Sequence, residues 1–486
     1  MRLFRSLLIP ALVSLVFGSF GQTRVSGGND IVTMDLLECI DYALEHNIQM
    51  RQSQLAIEGS IVRLNQSKAD LLPTANGRFN GNSNFGRNID PFSNDVVTKT
   101  IGTNSIGLGA NMTLYNGYRL KNTISRNQLD VEAARLDLQA QKNSISLQVA
   151  LSYLNMLSST EMIEVARRNM EITQFQLERT EKLVNAGSLP ETNIFDLNAQ
   201  LANDELQLVN AQNQFQNAMV SLKQAMNYSG FEPIQVSRVE VPDPSIQAYP
   251  ESNEVVYEAA INFMPEIQAA ELREELAVKN IQIARAVGLP SVVANASWGT
   301  AYSTAAKNVI QGDPTYQPVP VTAEFEGQTI PFVINFPQQN VTTEGIPYFN
   351  QLGNNQNMNV GVTIQIPVFN GNAKKYQEQS AKIQHLQSEL STESTKLNIR
   401  QNIDQAYITM LNASKTYSAS LVQVEALQRA FEAADARYNA GASNYVDYNL
   451  AKTNLDRANA NLIQAKYDYV FRMKILDFYQ NKPLQF

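Results

Sequence analysis

Chemistry needs reactive side chains, and this sequence supplies few of them. Its 486 residues include one cysteine, Cys39, and two histidines, His46 and His385, beside 46 aspartates and glutamates. A histidine-based metal site or a nucleophile–histidine–carboxylate triad has almost no raw material. Carboxylates remain, and two of them suffice to hydrolyse a glycosidic bond, but no pocket-forming pattern accompanies any acidic pair. Cys39 lies in the helical pattern LLECIDYAL and reads as a buried, inert thiol. Alone, it forms no intrachain disulfide. The expectation is a protein that is not an enzyme and carries neither metal nor cofactor.

The formal net charge is −8 and there is no basic block, which argues against nucleic acid as a partner. The start, MRLFRSLLIPALVSLVFGSFGQ, places Arg2 and Arg5 before an apolar run and ends in Ser19-Phe20-Gly21. That is the pattern of a signal peptide over residues 1–21, too short for a membrane span. No later stretch reaches the length of about 18 apolar residues that a transmembrane helix requires.

What elements, then, does an exported chain with little chemistry build? Self-similarity answers first. Gly187 and Gly441, each in the tripeptide NAG, stand 254 positions apart. At the same offset Tyr115-Asn116-Gly117 meets Phe369-Asn370-Gly371, Tyr153 meets Tyr407, Met156 meets Met410 and Ala211 meets Ala465. Upstream, the Leu-Pro pairs ending at Pro73 and Pro290 are offset by 217, so the second half carries 37 extra residues before its Asn-Gly. A duplication with one insertion explains both offsets.

Neither glycine nor proline interrupts the 69 residues between Gly117 and Gly187, or the 69 between Gly371 and Gly441. Apolar residues recur there at spacings of three and four, which predicts two helices each about 100 Å long. A second helix returns after each NAG, roughly over 193–227 and 445–478. The two glycines then sit at the tips of helical hairpins, where a residue of positive φ ends a helix.

Between each Leu-Pro and Asn-Gly the period changes to two. Ile106, Leu108, Ala110, Met112 and Leu114 alternate with small or polar residues, as do Met358, Val360, Val362, Ile364, Ile366 and Val368. Segments of about ten residues with one apolar face suit transmembrane strands. Strands are expected at about 74–86, 104–115, 291–303 and 357–369. Four cannot close a barrel and lipid tolerates no open edge, so other copies must complete the sheet. Tyr115 and Phe369 stand where strand meets helix, as an aromatic belt at the membrane surface would, with Trp298 as a further interfacial aromatic. The insertion, within about 304–356, reads as an extracellular loop.

With this duplicated plan, the two Leu-Pro and Asn-Gly junctions and the tip pattern RYNAGASNYVD, the chain resembles the TolC-type outer-membrane efflux family over essentially its whole mature length. The resemblance implies a mixed fold of membrane β and long α. A homotrimer would form a 12-stranded β-barrel, four strands per chain, continued by a periplasmic α-helical barrel. It implies a passive duct of a tripartite efflux or type I secretion system, seated in outer-membrane lipid. Its partners would be a periplasmic adaptor and an inner-membrane pump. Gly187, Ser188 and Leu189, with Gly441, Ala442 and Ser443, correspond to adaptor-docking turns. Asp447 falls on the first of the family's acidic pore positions, but the next is Leu450; in the other repeat the pair is Asn193 and Asp196. A trimer would therefore gather three Asp447 and three Asp196 in a narrow gate that favours cations. Tyr438 matches an aromatic that ties neighbouring helices. The alternative for both acids is an ordinary place in the first turns of a helix, where they suit its dipole.

The expected plan is a signal peptide (1–21), repeat 1 (22–230, tip at 185–192), a Pro-rich equatorial segment (231–252) and repeat 2 (253–486, tip at 439–446). The competing function is an exported structural coiled-coil surface protein without channel activity. It accounts for the helices and leaves the four period-two segments unexplained.

Overall fold

The computed structural model describes residues 32–89, 94–98, 100–230, 233–237, 241, 243–244 and 249–482. The expected signal peptide lies outside them. In chain order the elements begin with β1 (Val32–Met34), α1 (Leu36–His46), α2 (Ile48–Ala69), β2 (Thr74–Asn84), β3 (Arg87–Ile89), β4 (Val96–Thr98) and β5 (Ile101–Asn116). Then come α3 (Arg119–Asn185), α4 (Thr192–Met226), β6 (Ile234–Val236), α5 (Asn253–Phe263), α6 (Pro265–Ala286) and β7 (Ser291–Ser303). The insertion holds β8 (Lys307–Gln311), β9 (Thr315–Phe325), β10 (Gln328–Gln338), β11 (Val341–Gly345) and α7 (Tyr348–Asn354). The chain finishes with β12 (Asn357–Gln365), α8 (Ala373–Asn439) and α9 (Tyr445–Tyr479).

The duplication is visible in the lengths. α3 and α8 have 67 residues each, and α4 and α9 have 35 each. Equivalent side chains share a fate: Met156 and Met410 are both fully buried, and Ala211 and Ala465 are both buried.

The chain divides into two compact units, one of residues up to Tyr42 with Ser152–Val241, the other of Ala43–Leu151 with Pro242 onward. In the first, β1 and β6 form a parallel pair, so part of the Pro-rich segment is a strand. The Tyr153 hydroxyl donates to the Ser237 carbonyl at 3.0 Å. Leu222, Met226 and Ile234 are buried there. In the second, α5, α6, α8 and α9 share a core built on Ile267, Ile403, Met410, Tyr469 and Leu476.

The second unit also holds the sheet that decides the architecture. Its order is β12-β7-β5-β2, antiparallel throughout. Register aligns the periods across all four strands. One face carries the rows Met358–Trp298–Leu108–Gly77 and Val360–Ala296–Ala110–Ala75. The opposite face carries Asn359–Ser297–Gly109–Asn76 and Gly361–Asn295–Asn111–Thr74. The sheet thus has one apolar and one amide-rich face, and among the described residues its two edge strands, β2 and β12, are open.

The insertion is a hairpin rather than an irregular loop. Glu326 (φ 53°) and Gly327 (φ 75°) supply the two left-handed residues of a tight two-residue turn between β9 and β10. Phe325 and Gln328 flank the turn, and counting from them places Pro318, Pro320, Pro331 and Pro337 on pairs whose backbone groups point away from the partner strand. The prolines leave the ladder intact and strip donors from both outer edges, which discourages pairing with other strands. At its base, buried Gln351 of α7 accepts from the Ser303 amide at 2.9 Å and donates to its carbonyl at 3.1 Å, fastening the insertion to the end of β7.

Sheet turns into helix at Gly117-Tyr118 and Gly371-Asn372, where both residues of each pair have positive φ. A Cβ on Gly117 would lie 2.7 Å from Leu289 Cβ, so the Asn-Gly of the first repeat packs on the Leu-Pro of the second. Gly117→Ala should therefore destabilise the fold by at least about 1–2 kcal/mol, the cost of a left-handed alanine before any clash. Gly353→Ala, in α7 with nothing within 4 Å of its Cβ, should be neutral or mildly stabilising. Chemical denaturation followed by helical circular dichroism checks both.

Candidate functional site

Each hairpin tip is built from backbone bonds first. At the end of α8 the Ala440 amide donates to Ala436 O (3.1 Å), Gly441 to Tyr438 O (3.0 Å) and Ala442 to Arg437 O (2.9 Å). At the end of α3, Ala186 donates to Lys182 O (3.1 Å), Gly187 to Val184 O (2.9 Å) and Ser188 to Leu183 O (2.9 Å). Gly187 and Gly441 take φ of 73° and 70°, the left-handed cap that turns the chain and satisfies the last carbonyls. Of the six tip residues, Gly187, Ser188, Gly441 and Ala442 are exposed, and Leu189 and Ser443 are half-buried.

The return helices start differently. Asn444 caps α9, its side chain accepting from the Asp447 amide at 2.9 Å, while Ser443 Oγ donates to the Asp447 carboxylate at 3.0 Å. Asp447 is thus exposed in the first turn, held by its own cap and favoured by the helix dipole. In the first repeat the cap position is Glu191, which makes no side-chain cap bond. Asn193 is bonded through its backbone to Pro190 O at 3.2 Å, and Asp196, one turn further along, is exposed.

Tyr438 belongs to a cluster that sequence reasoning missed. It stacks on Tyr448 with ring centroids 5.1 Å apart and meets Tyr445 edge-on at 6.1 Å, while Phe431 lies 5.6 Å from Tyr448. The signal was present, since Phe431 and Tyr438 are seven apart and Tyr445 and Tyr448 three apart, the spacing of a helical seam. The same spacing marks two buried polar links that were also missed. In the first hairpin Leu197, Asp204, Ala211 and Ala218 form a heptad row. There Asp204 accepts from Thr173 Oγ1 at 2.5 Å and from Gln200 Nε2 at 2.7 Å. In the second, Tyr445 and Lys452 are seven apart, and buried Lys452 donates to Asp456 at 3.0 Å. A polar link that crosses an apolar seam, as Thr173–Asp204 does between α3 and α4, fixes its register.

Tyr115 meets Tyr118 edge-on at 5.4 Å where β5 ends, and Phe369 is 81% exposed just beyond β12. Trp298 stands at neither end of its strand, but inside the apolar row between Met358 and Leu108. Among the described residues no group of three or more His, Cys, Asp or Glu is placed to hold a metal, and no helix is long and apolar enough to cross a membrane.

Cys39 is fully buried, and its thiol is pushed up to about 12, first by burial and then by Asp35 and Glu38. Tyr153 is raised to about 12 for the same leading reason, with Cys39 second. A thiolate is the reactive form, so folded protein should resist N-ethylmaleimide at pH 8 and label only when unfolded in denaturant. Mass spectrometry of the alkylated chain checks this.

A family model described as outer membrane efflux protein matches residues 39–228 and 256–474. Outer membrane protein TolC of Vibrio cholerae serotype O1 is 22% identical over 473 residues, covering 95% of this chain and 92% of that one. TolC of Escherichia coli K12 is 21% identical over 494 residues, covering 95% and 84%. Among solved structures, CusC superposes with a TM-score of 0.71 at 19% identity, over 95% of this chain and 96% of its own. The open state of the Neisseria gonorrhoeae MtrE outer membrane channel gives 0.66 at 19% identity, over 93% and 89%.

Proposed function

This chain belongs to the outer membrane efflux protein family, and from that premise we propose that it is the outer-membrane duct of a tripartite efflux or type I secretion system. It is an outer-membrane protein. Three copies close a 12-stranded barrel, the helical hairpins continue it through the periplasm, and export is passive.

The observation that carries this reading is the unfinished sheet, together with the repeat. β5 pairs with β7, which brings Gly117 against Leu289. The equivalent of β5 is β12 and the equivalent of β7 is β2, yet in one chain these are the two open edges. Gly371 has nothing within 4 Å of where its Cβ would be, and its expected counterpart, Leu72, is 63% exposed. Tyr115 and Met112 are each 37% exposed, whereas their equivalents Phe369 and Ile366 are 81% and 65% exposed. The repeat offsets carry the β5–β7 register onto β12 and the next copy's β2, setting Ile364 beside Phe79 and Val362 beside Gly81. Those pairs keep apolar residues on the apolar face, as lipid requires. An eight-stranded barrel is filled by its own side chains, so a duct needs three copies rather than two.

The tips supply the rest. Three Asp447 and three Asp196 would ring the periplasmic entrance, where clustered carboxylates attract cations and repel one another. Tyr438 would brace neighbouring helices. The exposed turns Gly187-Ser188-Leu189 and Gly441-Ala442-Ser443 would receive a periplasmic adaptor that links the duct to an inner-membrane pump. Tyr115 and Phe369 would mark the periplasmic surface of the lipid, and the proline-edged hairpin would face outward. A structural coiled coil without a channel has no use for a sheet with one apolar face.

Single-channel recording of the purified protein in a planar bilayer tests this. We expect a small, cation-preferring conductance that rises or loses preference on Asp447→Ala. A conductance indifferent to Asp447 would move the gate to Asp196. A folded, lipid-bound protein with no conductance would favour the structural coiled coil.

A further inference from the structure

In the strands β2, β5, β7 and β12, of 11, 16, 13 and 9 residues, a single residue is charged: Arg78. It is the fifth residue of β2, inside the strand rather than at its rim. Register puts it in the row Asn357–Gly299–Gly107–Arg78, on the amide-rich face and opposite the face that carries Trp298 and Leu108. Within the chain its row neighbours are two glycines, so no side chain of that row covers the guanidinium, and the register proposed above sets the uncharged Gln365 of the next copy beside it. Arg78 is exposed and has neither an ion pair nor a hydrogen bond to its side chain among the described residues.

An arginine in a membrane strand is strongly disfavoured on the lipid face and tunes selectivity on the lumen face. Here the other residues of that face are uncharged, including Asn76, Ser297 and Asn359, so none offsets the charge of the guanidinium. We propose that Arg78 is an anion-selecting residue of the duct, a ring of one guanidinium per copy that favours solutes bearing carboxylate or phosphate groups. The proposal rests on the barrel reading above. A guanidinium presents several donors in a fixed fork that matches such oxyanions, and rings of arginine or lysine give pores preference for anions and phosphate. The carboxylates proposed at the tips would act in the opposite sense.

The two charges are separated by recording in an Asp196→Ala, Asp447→Ala background. The reversal potential is read under a KCl gradient near 0.01 M, where screening extends to about 30 Å. With Arg78 present the channel should favour chloride, and inorganic tripolyphosphate should block its current. Arg78→Gln should lower the chloride-to-potassium permeability ratio by about twofold or more and relieve the block, and Arg78→Glu should carry the preference over to potassium. Arg78→Lys should keep the preference for chloride. Equal ratios and equal block in the parent and Arg78→Gln channels would overturn the assignment while leaving the duct standing. Absence of any current from the parent would overturn the barrel itself, and the arginine ring with it.

Discussion

Everything in this molecule follows from the demand that backbone N–H and C=O groups be paired wherever water is excluded. In hydrocarbon an unpaired peptide group costs several kcal/mol, and among the described residues the sheet of one chain leaves β2 and β12 with one side each unpaired. The side chains repeat the message. The apolar rows through Met358, Trp298 and Leu108 are the wrong surface for water, while the amide rows through Asn359 and Asn76 are the wrong surface for lipid. A closed ring of several such sheets resolves both conflicts at once, with the apolar rows outside and the amides inside.

In the proposed assembly the long helices extend that ring by different means. A 67-residue helix has little apolar surface of its own and is stabilised by neighbours along a seam. Asp204 with Thr173 places a polar link between α3 and α4 and holds their register, while buried Lys452 is paired within α9 by Asp456. The change from one regime to the other takes two residues of positive φ, Gly117-Tyr118 in one repeat and Gly371-Asn372 in the other. At the far end of each long helix a single glycine reverses the chain.

Much of this was legible in the sequence, because long elements write strong periods. The runs free of glycine and proline marked α3 and α8, the period of two marked the faces of β5 and β12, and NAG marked both tips. The duplication showed which parts are equivalent, and the open edges then showed which equivalents lack a partner. Less visible were features decided by packing at a distance. β6 arises inside a Pro-rich segment because it pairs with β1, almost the whole first repeat earlier. The insertion is ordered because Glu326-Gly327 forms a tight turn and its prolines fall on the outer edges of the strands, which only the register reveals. Trp298 suggested an interfacial position by residue type, yet register sets it within the apolar row. At the tips Asp447 and Asp196 are singled out only by the resemblance to the family, not by any local period. The ring cluster around Tyr438 depends on which faces of α8 and α9 meet, and a sequence without an atomic arrangement leaves that open.

The central claim is that β12 of one copy pairs with β2 of the next in the register of β5 on β7. It is tested most directly by Ile364→Cys with Phe79→Cys in a Cys39→Ser background, joined in the membrane by mild oxidation or a short bis-thiol reagent. Covalent dimers and trimers are expected for this pair, and little product when Phe79→Cys is replaced by Asn84→Cys, several residues out of register. Products confined to the single chain, or equal cross-linking of both pairs, would contradict it.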